Sequence, residues 1–142
     1  MVIGAPCGDP YVPRVETDAD AERRTILLVD DDRSVRTFTT RVLRRAGFRV
    51  VTADSGDAAL AVFEQHADQV ELVVTDVVMP GMTGASLSGR LRERKPGLRV
   101  LFVSGYPADL ATGERLVPYG AALLAKPFTG AELVARVREV LG

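Results

Sequence analysis

The stretch Ile26–Ser34, ILLVDDDRS, is an apolar run that breaks into three consecutive acids. Its first half suits a strand covered on both faces of a sheet, because such strands carry apolar side chains without alternation. Its second half sets adjacent carboxylates against one another, an arrangement that calls for a positive charge between them.

Outward from this stretch the same pattern recurs. The runs TILLVD (25–30), FRVVTA (48–53), VELVVTD (70–76), LRVLFVS (98–104) and AALLAK (121–126) read as five strands, separated by longer amphipathic segments. Val35, Phe38, Val42, Leu43 and Ala46 share one face of a first helix, which Gly47 stops. Leu60, Phe63 and Ala67 do the same for a second, and Leu87 and Leu91 anchor a third. The last helix opens with Thr129 and Glu132 in capping-box spacing and buries Leu133, Val137, Val140 and Leu141. Between the fourth and fifth strands, YPADLATGERLVPYG (106–120) contains Pro107, Gly113 and Pro118, so the fourth helix is expected to be short or mobile. Strands alternating with helices build βαβ units, and the fold class is therefore α/β, a doubly wound five-stranded parallel sheet with five helices.

The chain has 142 residues, which fits one domain with a real core. Residues 1–24 mix acids, prolines and glycines without period and read as a disordered arm or linker, leaving 25–142 as the folded domain. A net charge of −1 argues against a nucleic-acid-binding surface. Arg41, Arg44 and Arg45 cluster locally and read as a solvated helix face. Cys7 is the sole cysteine, which excludes an internal disulfide and a cysteine metal cage and suggests a reducing compartment. No apolar stretch reaches the roughly 20 residues that span a bilayer. The start lacks the form of a secretion signal, so a cytoplasmic location is expected.

In doubly wound sheets, ligands bind beyond the carboxyl ends of the strands. Asp30 and Asp31 fall at the end of the first strand, Asp76 at the end of the third, Ser104 of the fourth and Lys126 of the fifth. Any one of these alone could be an ordinary loop-edge polar residue; together they mark one rim. Carboxylates without a convergent His or Cys make a hard oxygen site that suits Mg²⁺. Without metal, mutual repulsion is expected to raise and couple their pKa values. Asp76 is then the candidate nucleophile toward phosphorus, Lys126 pairs with one phosphoryl oxygen and the Ser104 hydroxyl with another. Asp32 reads as the cap of the first helix.

ILLVDDDRSVR (26–36), VVTDVVMPGMTG (73–84), VLFVSGY (100–106) and LLAKPF (123–128), in this order, resemble the receiver domains of two-component response regulators, and the wording is most similar to receivers of hybrid sensor kinases or stand-alone receivers. The resemblance implies a flavodoxin-like sheet of order 2-1-3-4-5, with Asp76 as phosphoacceptor and Lys126 and Ser104 as its assistants. It implies Mg²⁺ held by Asp31 and Asp76 directly, by Asp30 largely through water, and by the main-chain carbonyl of Val78. It further implies a cis bond between Lys126 and Pro127. The phosphoryl donor would be a sensor histidine kinase or a histidine phosphotransfer protein. The output would pass to a downstream protein through the surface of the fourth helix, fifth strand and fifth helix, a surface that could also pair two copies. No turnover of a separate substrate and no direct contact with nucleic acid are expected. Leu123 stands where many members of the family carry a switch Tyr or Phe, and Tyr106 and Tyr119 are its nearby substitutes.

Two other readings compete. A Mg²⁺-dependent phosphatase with an Asp nucleophile needs an acid two residues later, where this chain has Val78. A degenerate receiver that only docks would not need the intact set of acids, Ser and Lys. His66, in FEQHADQ (63–69), reads as a surface residue and not as a phosphodonor.

Overall fold

Along Ile26–Val29 the side chains alternate between two layers, so an unbroken apolar run supplies two cores at once. Leu27 and Val29 enter one, Ile26 and Leu28 the other, and all four are buried. The computed structural model describes residues 24–105 and 121–142. Residues 1–23, assigned above to an arm, and 106–120, assigned to the fourth helix and carrying Tyr106 and Tyr119, lie outside the described residues.

The strands are β1 (Thr25–Val29), β2 (Arg49–Ala53), β3 (Val70–Asp76), β4 (Arg99–Ser104) and β5 (Ala122–Ala125). The helices are α1 (Arg33–Arg45), α2 (Gly56–His66), α3 (Gly84–Arg94) and α4 (Gly130–Leu141). Every strand pairing is parallel, and the order is β2-β1-β3-β4-β5. The fold is thus the flavodoxin-like sheet expected. Four of the five expected helices fall among the described residues, and α4 is the one numbered fifth in sequence.

Helices cover both faces of the sheet. Ala59 and Phe63 of α2 and Leu87 and Leu91 of α3 close over Leu27, Val73 and Phe102. Leu43 of α1 and Leu133, Val137 and Leu141 of α4 close over Ile26, Leu72, Val74 and Leu101. Each such side chain contributes roughly 1.5–3 kcal/mol through its burial. The central strands β1, β3 and β4 are buried nearly throughout, whereas β2 and β5 alternate or are half-exposed, as edge strands must be.

Local signals set the helix ends. Asp32 caps α1, its Oδ1 accepting from the amides of Ser34 at 2.8 Å and Val35 at 3.1 Å. Gly47, at φ 101°, ends it. Thr129 and Glu132 form the capping box of α4. Phe38, read above as sharing the apolar face of α1, is 44% exposed at the margin of that face, and its ring lies 6.3 Å from that of Phe128. Thr39, the next residue of α1, turns inward instead. Arg24, assigned to the arm, is part of the folded domain: its carbonyl accepts from Arg49 N at 2.9 Å and its Nη1 donates to Leu141 O at 3.2 Å.

Candidate functional site

The parallel sheet brings the residues that follow β1, β3, β4 and β5 to one rim. Asp30 comes just after β1, which ends at Val29, and its amide still donates to Ala53 O at 3.2 Å. Its carboxylate is buried and accepts from Asp32 N at 2.8 Å, while its carbonyl accepts from Arg36 Nη1 at 2.7 Å. Asp31 is exposed at the mouth. Asp76 ends β3 and is buried, and the Thr75 hydroxyl donates to its carbonyl at 3.0 Å.

Lys126 follows β5 and reaches across the rim. Its Nζ lies 2.8 Å from Asp76 Oδ1 and 3.5 Å from Asp30 Oδ2. Its amide donates to Ser104 O at 2.7 Å, which ties the ends of β4 and β5 together. The Lys126–Pro127 bond is cis. Ser104, buried at the end of β4, belongs to the same rim. A cavity of about 620 Å³ opens here, lined by Asp31, Asp76, Val78 and Lys126 among others, with the Val78 side chain half-exposed.

Burial is the main reason that the pKa of Asp76 is pushed up to about 7, the Asp30 charge adds to it, and the Lys126 hydrogen bond opposes it. Repulsion among the acids is therefore the lesser cause, contrary to the expectation above. For Lys126 burial disfavours the charge, yet Asp76 and Asp30 together outweigh it and raise its pKa.

One carboxylate oxygen from each of Asp30, Asp31 and Asp76 lies within 4.8 Å of the others. A set of hard oxygens on an open cavity fits Mg²⁺, which keeps several waters and takes few protein ligands. The sequence missed two residues that support the site. Arg36 braces Asp30 from α1, and Gly84 packs on the main chain of Asp76. The glycine that closes MPGMTG was the available signal for the second. His66 stands apart, with Nδ1 3.5 Å from Gln69 Oε1 at the end of α2.

The fold and this rim define a class: a flavodoxin-like domain whose acidic cluster and lysine converge beyond the strand ends. The chain belongs to the response regulator receiver domain family, whose profile matches residues 26–138. It is 38% identical over 117 residues to the sensor kinase CckA of Brucella abortus (strain 2308), covering 82% of this chain but 12% of that protein. With the response regulator receiver protein CpdR of the same organism it shares 33% identity over 118 residues, which cover 83% of this chain and 97% of CpdR. Among solved structures, the receiver domain of the hybrid histidine kinase CckA matches with a TM-score of 0.71 and 33% identity, covering 83% of this chain and 99% of that one. The response regulator TrrA of Thermotoga maritima, solved in complex with Mg²⁺ and BeF, matches with a TM-score of 0.70 and 25% identity, covering 82% and 98%. The protein is thus a receiver domain of two-component signalling. No helix among the described residues is long and apolar enough to cross a membrane.

Proposed function

We propose that Asp76 accepts a phosphoryl group from a phosphohistidine on a sensor histidine kinase or a histidine phosphotransfer protein. The observation that carries this reading is the position of the Asp76 carboxylate, 2.8 Å from Lys126 Nζ and within reach of the Asp30 and Asp31 oxygens at the strand ends. A carboxylate oxygen of Asp76 forms the new P–O bond while the P–N bond to the donor imidazole breaks. The imidazole leaves with the electron pair of that bond and regains its proton. Asp76 must be ionised to attack, and Lys126 favours that form.

Asp31, Asp76 and the Val78 carbonyl, with Asp30 largely through water, would hold Mg²⁺, which would neutralise charge on the oxygens of the transferring group. Lys126 pairs with one phosphoryl oxygen and the Ser104 hydroxyl with another, so both residues gain a new partner once Asp76 is modified. Phosphoryl transfer asks for little beyond such positioning. No separate substrate is turned over. The Mg²⁺ and BeF complex of the related TrrA supports the metal assignment.

An apolar hollow of about 510 Å³ beside the rim, lined by Val35, Phe38, Pro127 and Phe128, fits the apolar stripe of a donor helix. Output would leave through β5 and α4 to a downstream protein, and that surface would also pair two copies; the fourth helix expected to share it falls at 106–120, outside the described residues. Arg136 of α4 binds Leu123 O at 3.0 Å and so links β5 to that helix. A cytoplasmic setting belongs to this reading.

Incubation with Mg²⁺ and acetyl phosphate, followed by intact mass, tests it. One phosphoryl group on wild type and none on Asp76→Asn is expected. No mass gain in wild type would favour a domain that only docks.

A further inference from the structure

Outside the acidic rim, a second concave site lies on α1 where it passes the edge strand β2. A cavity of about 590 Å³ is lined by Arg36, Arg41, Arg44, Arg45 and Thr52, together with Thr37 and Thr40. We propose that this cavity binds a small molecule bearing a linear polyphosphate chain.

The helix sets the spacing. Residues 36, 40 and 44 form one row and 37, 41 and 45 the next, so guanidinium groups and hydroxyls share one face over two turns. From Arg36 to Arg44 the axis runs about 12 Å at 1.5 Å per residue. Positive charge spread along a line suits a chain of phosphates better than a single phosphate. Guanidinium forks bind phosphate oxygens in pairs, and threonine hydroxyls add donors between them.

A purely solvated helix face does not account for the arrangement. Helix-dipole complementarity favours cations in the last turn, which covers Arg44 and Arg45 but not Arg36 or Arg41. Thr52 comes from β2, so the lining of this open depression draws on two elements. Among the described residues no carboxylate forms an ion pair with any of the four arginines, although the chain as a whole carries a net charge of −1. Two of the arginines are preset by the backbone: Arg36 Nη1 donates to Asp30 O at 2.7 Å and Arg44 Nη2 to Val50 O at 3.2 Å. Each guanidinium has five N–H groups, so donors remain for a ligand. Among the described residues no aromatic ring lines the cavity, so the phosphates, not a base, carry the recognition.

The test is NMR titration of the whole chain with inorganic tripolyphosphate and, separately, ATP, in EDTA so that metal-bridged binding at the acidic rim is excluded. Amide shifts at Thr37, Thr40 and Thr52, with affinity at least tenfold weaker in Arg41→Gln/Arg45→Gln, are expected. Orthophosphate should bind far more weakly. Comparable affinity for both ligands would make the phosphate chain alone the determinant, and a preference for ATP would make a nucleotide the occupant. Thr52→Val, which keeps every charge, should also weaken binding. Equal displacement by poly-glutamate or single-stranded DNA, unchanged affinity in the double variant, or shifts confined to Asp30 and Asp76 would each overturn the proposal.

Discussion

Gly84 packs directly on the main chain of Asp76: a Cβ added there would overlap the Asp76 carbonyl oxygen and lie 3.2 Å from its carbonyl carbon. Gly84 N also donates to Val77 O at 2.9 Å, so the start of α3 is pinned beneath the residue proposed to take the phosphoryl group. Gly84→Ala should therefore cost about 1–3 kcal/mol, the range for overpacking a rigid site. It should also slow phosphorylation, because the carboxylate moves with its backbone. Urea denaturation and the rate of mass gain with acetyl phosphate measure the two effects. Wild-type values for both would show that the contact relaxes freely.

Thr39 is 1% exposed on the inner face of α1, and its hydroxyl has no hydrogen-bond partner among the described residues. A buried hydroxyl left unsatisfied costs about 1–3 kcal/mol, and Val has nearly the same shape and helix propensity. Thr39→Val should raise stability by about 1 kcal/mol. A lower urea midpoint in the variant would mean that the hydroxyl has a partner after all.

The raised pKa of Asp76 makes stability depend on pH. An unfolded Asp loses its proton near 3.8, whereas the folded one holds it until about 7. The folded state therefore binds more protons across that window, so stability falls as pH rises through it and the cost is complete above about 7. In EDTA, wild type should lose stability relative to Asp76→Asn between pH 5 and pH 8, as read from paired urea midpoints. A constant difference would contradict the burial argument. On the proposed role of Asp76 as a ligand, Mg²⁺ would take the ionised carboxylate, so its binding should release protons near pH 6 and weaken below it.

Val78 is 51% exposed at the mouth of the acidic cavity and has no polar side-chain atom to hold a water. Val78→Asn would place an amide there, and loss of the phosphoryl group should quicken, each tenfold corresponding to about 1.4 kcal/mol of barrier. Decay of the phosphorylated mass after removal of the donor measures it. An unchanged half-life would remove Val78 from the control of hydrolysis.

The sheet was legible in the sequence because buried parallel strands write themselves as apolar runs, and the rim because four of the five runs end in a polar residue, at Asp30, Asp76, Ser104 and Lys126. Asp32 and the Thr129–Glu132 pair were legible too, since caps are local. Phe38 was not: helical periodicity gives a face about 100° wide, and only the approach of Phe128 from the β5–α4 connection shows that this ring sits at its margin. The contacts of Gly84 with Asp76 and of Arg36 with Asp30 depend on how separate elements meet, which no spacing encodes. The same holds for the pKa of Asp76, where depth of burial outweighs the neighbouring charges visible in DDD.

The identity of the phosphorylated residue is tested most directly by trapping it. Borohydride reduces an aspartyl phosphate to homoserine, so treating the phosphorylated protein and mapping its peptides locates the modified position. Homoserine at position 76 alone is the predicted result. Homoserine at Asp30 or Asp31, or none anywhere in a protein that has gained a phosphoryl group, would contradict the assignment of Asp76.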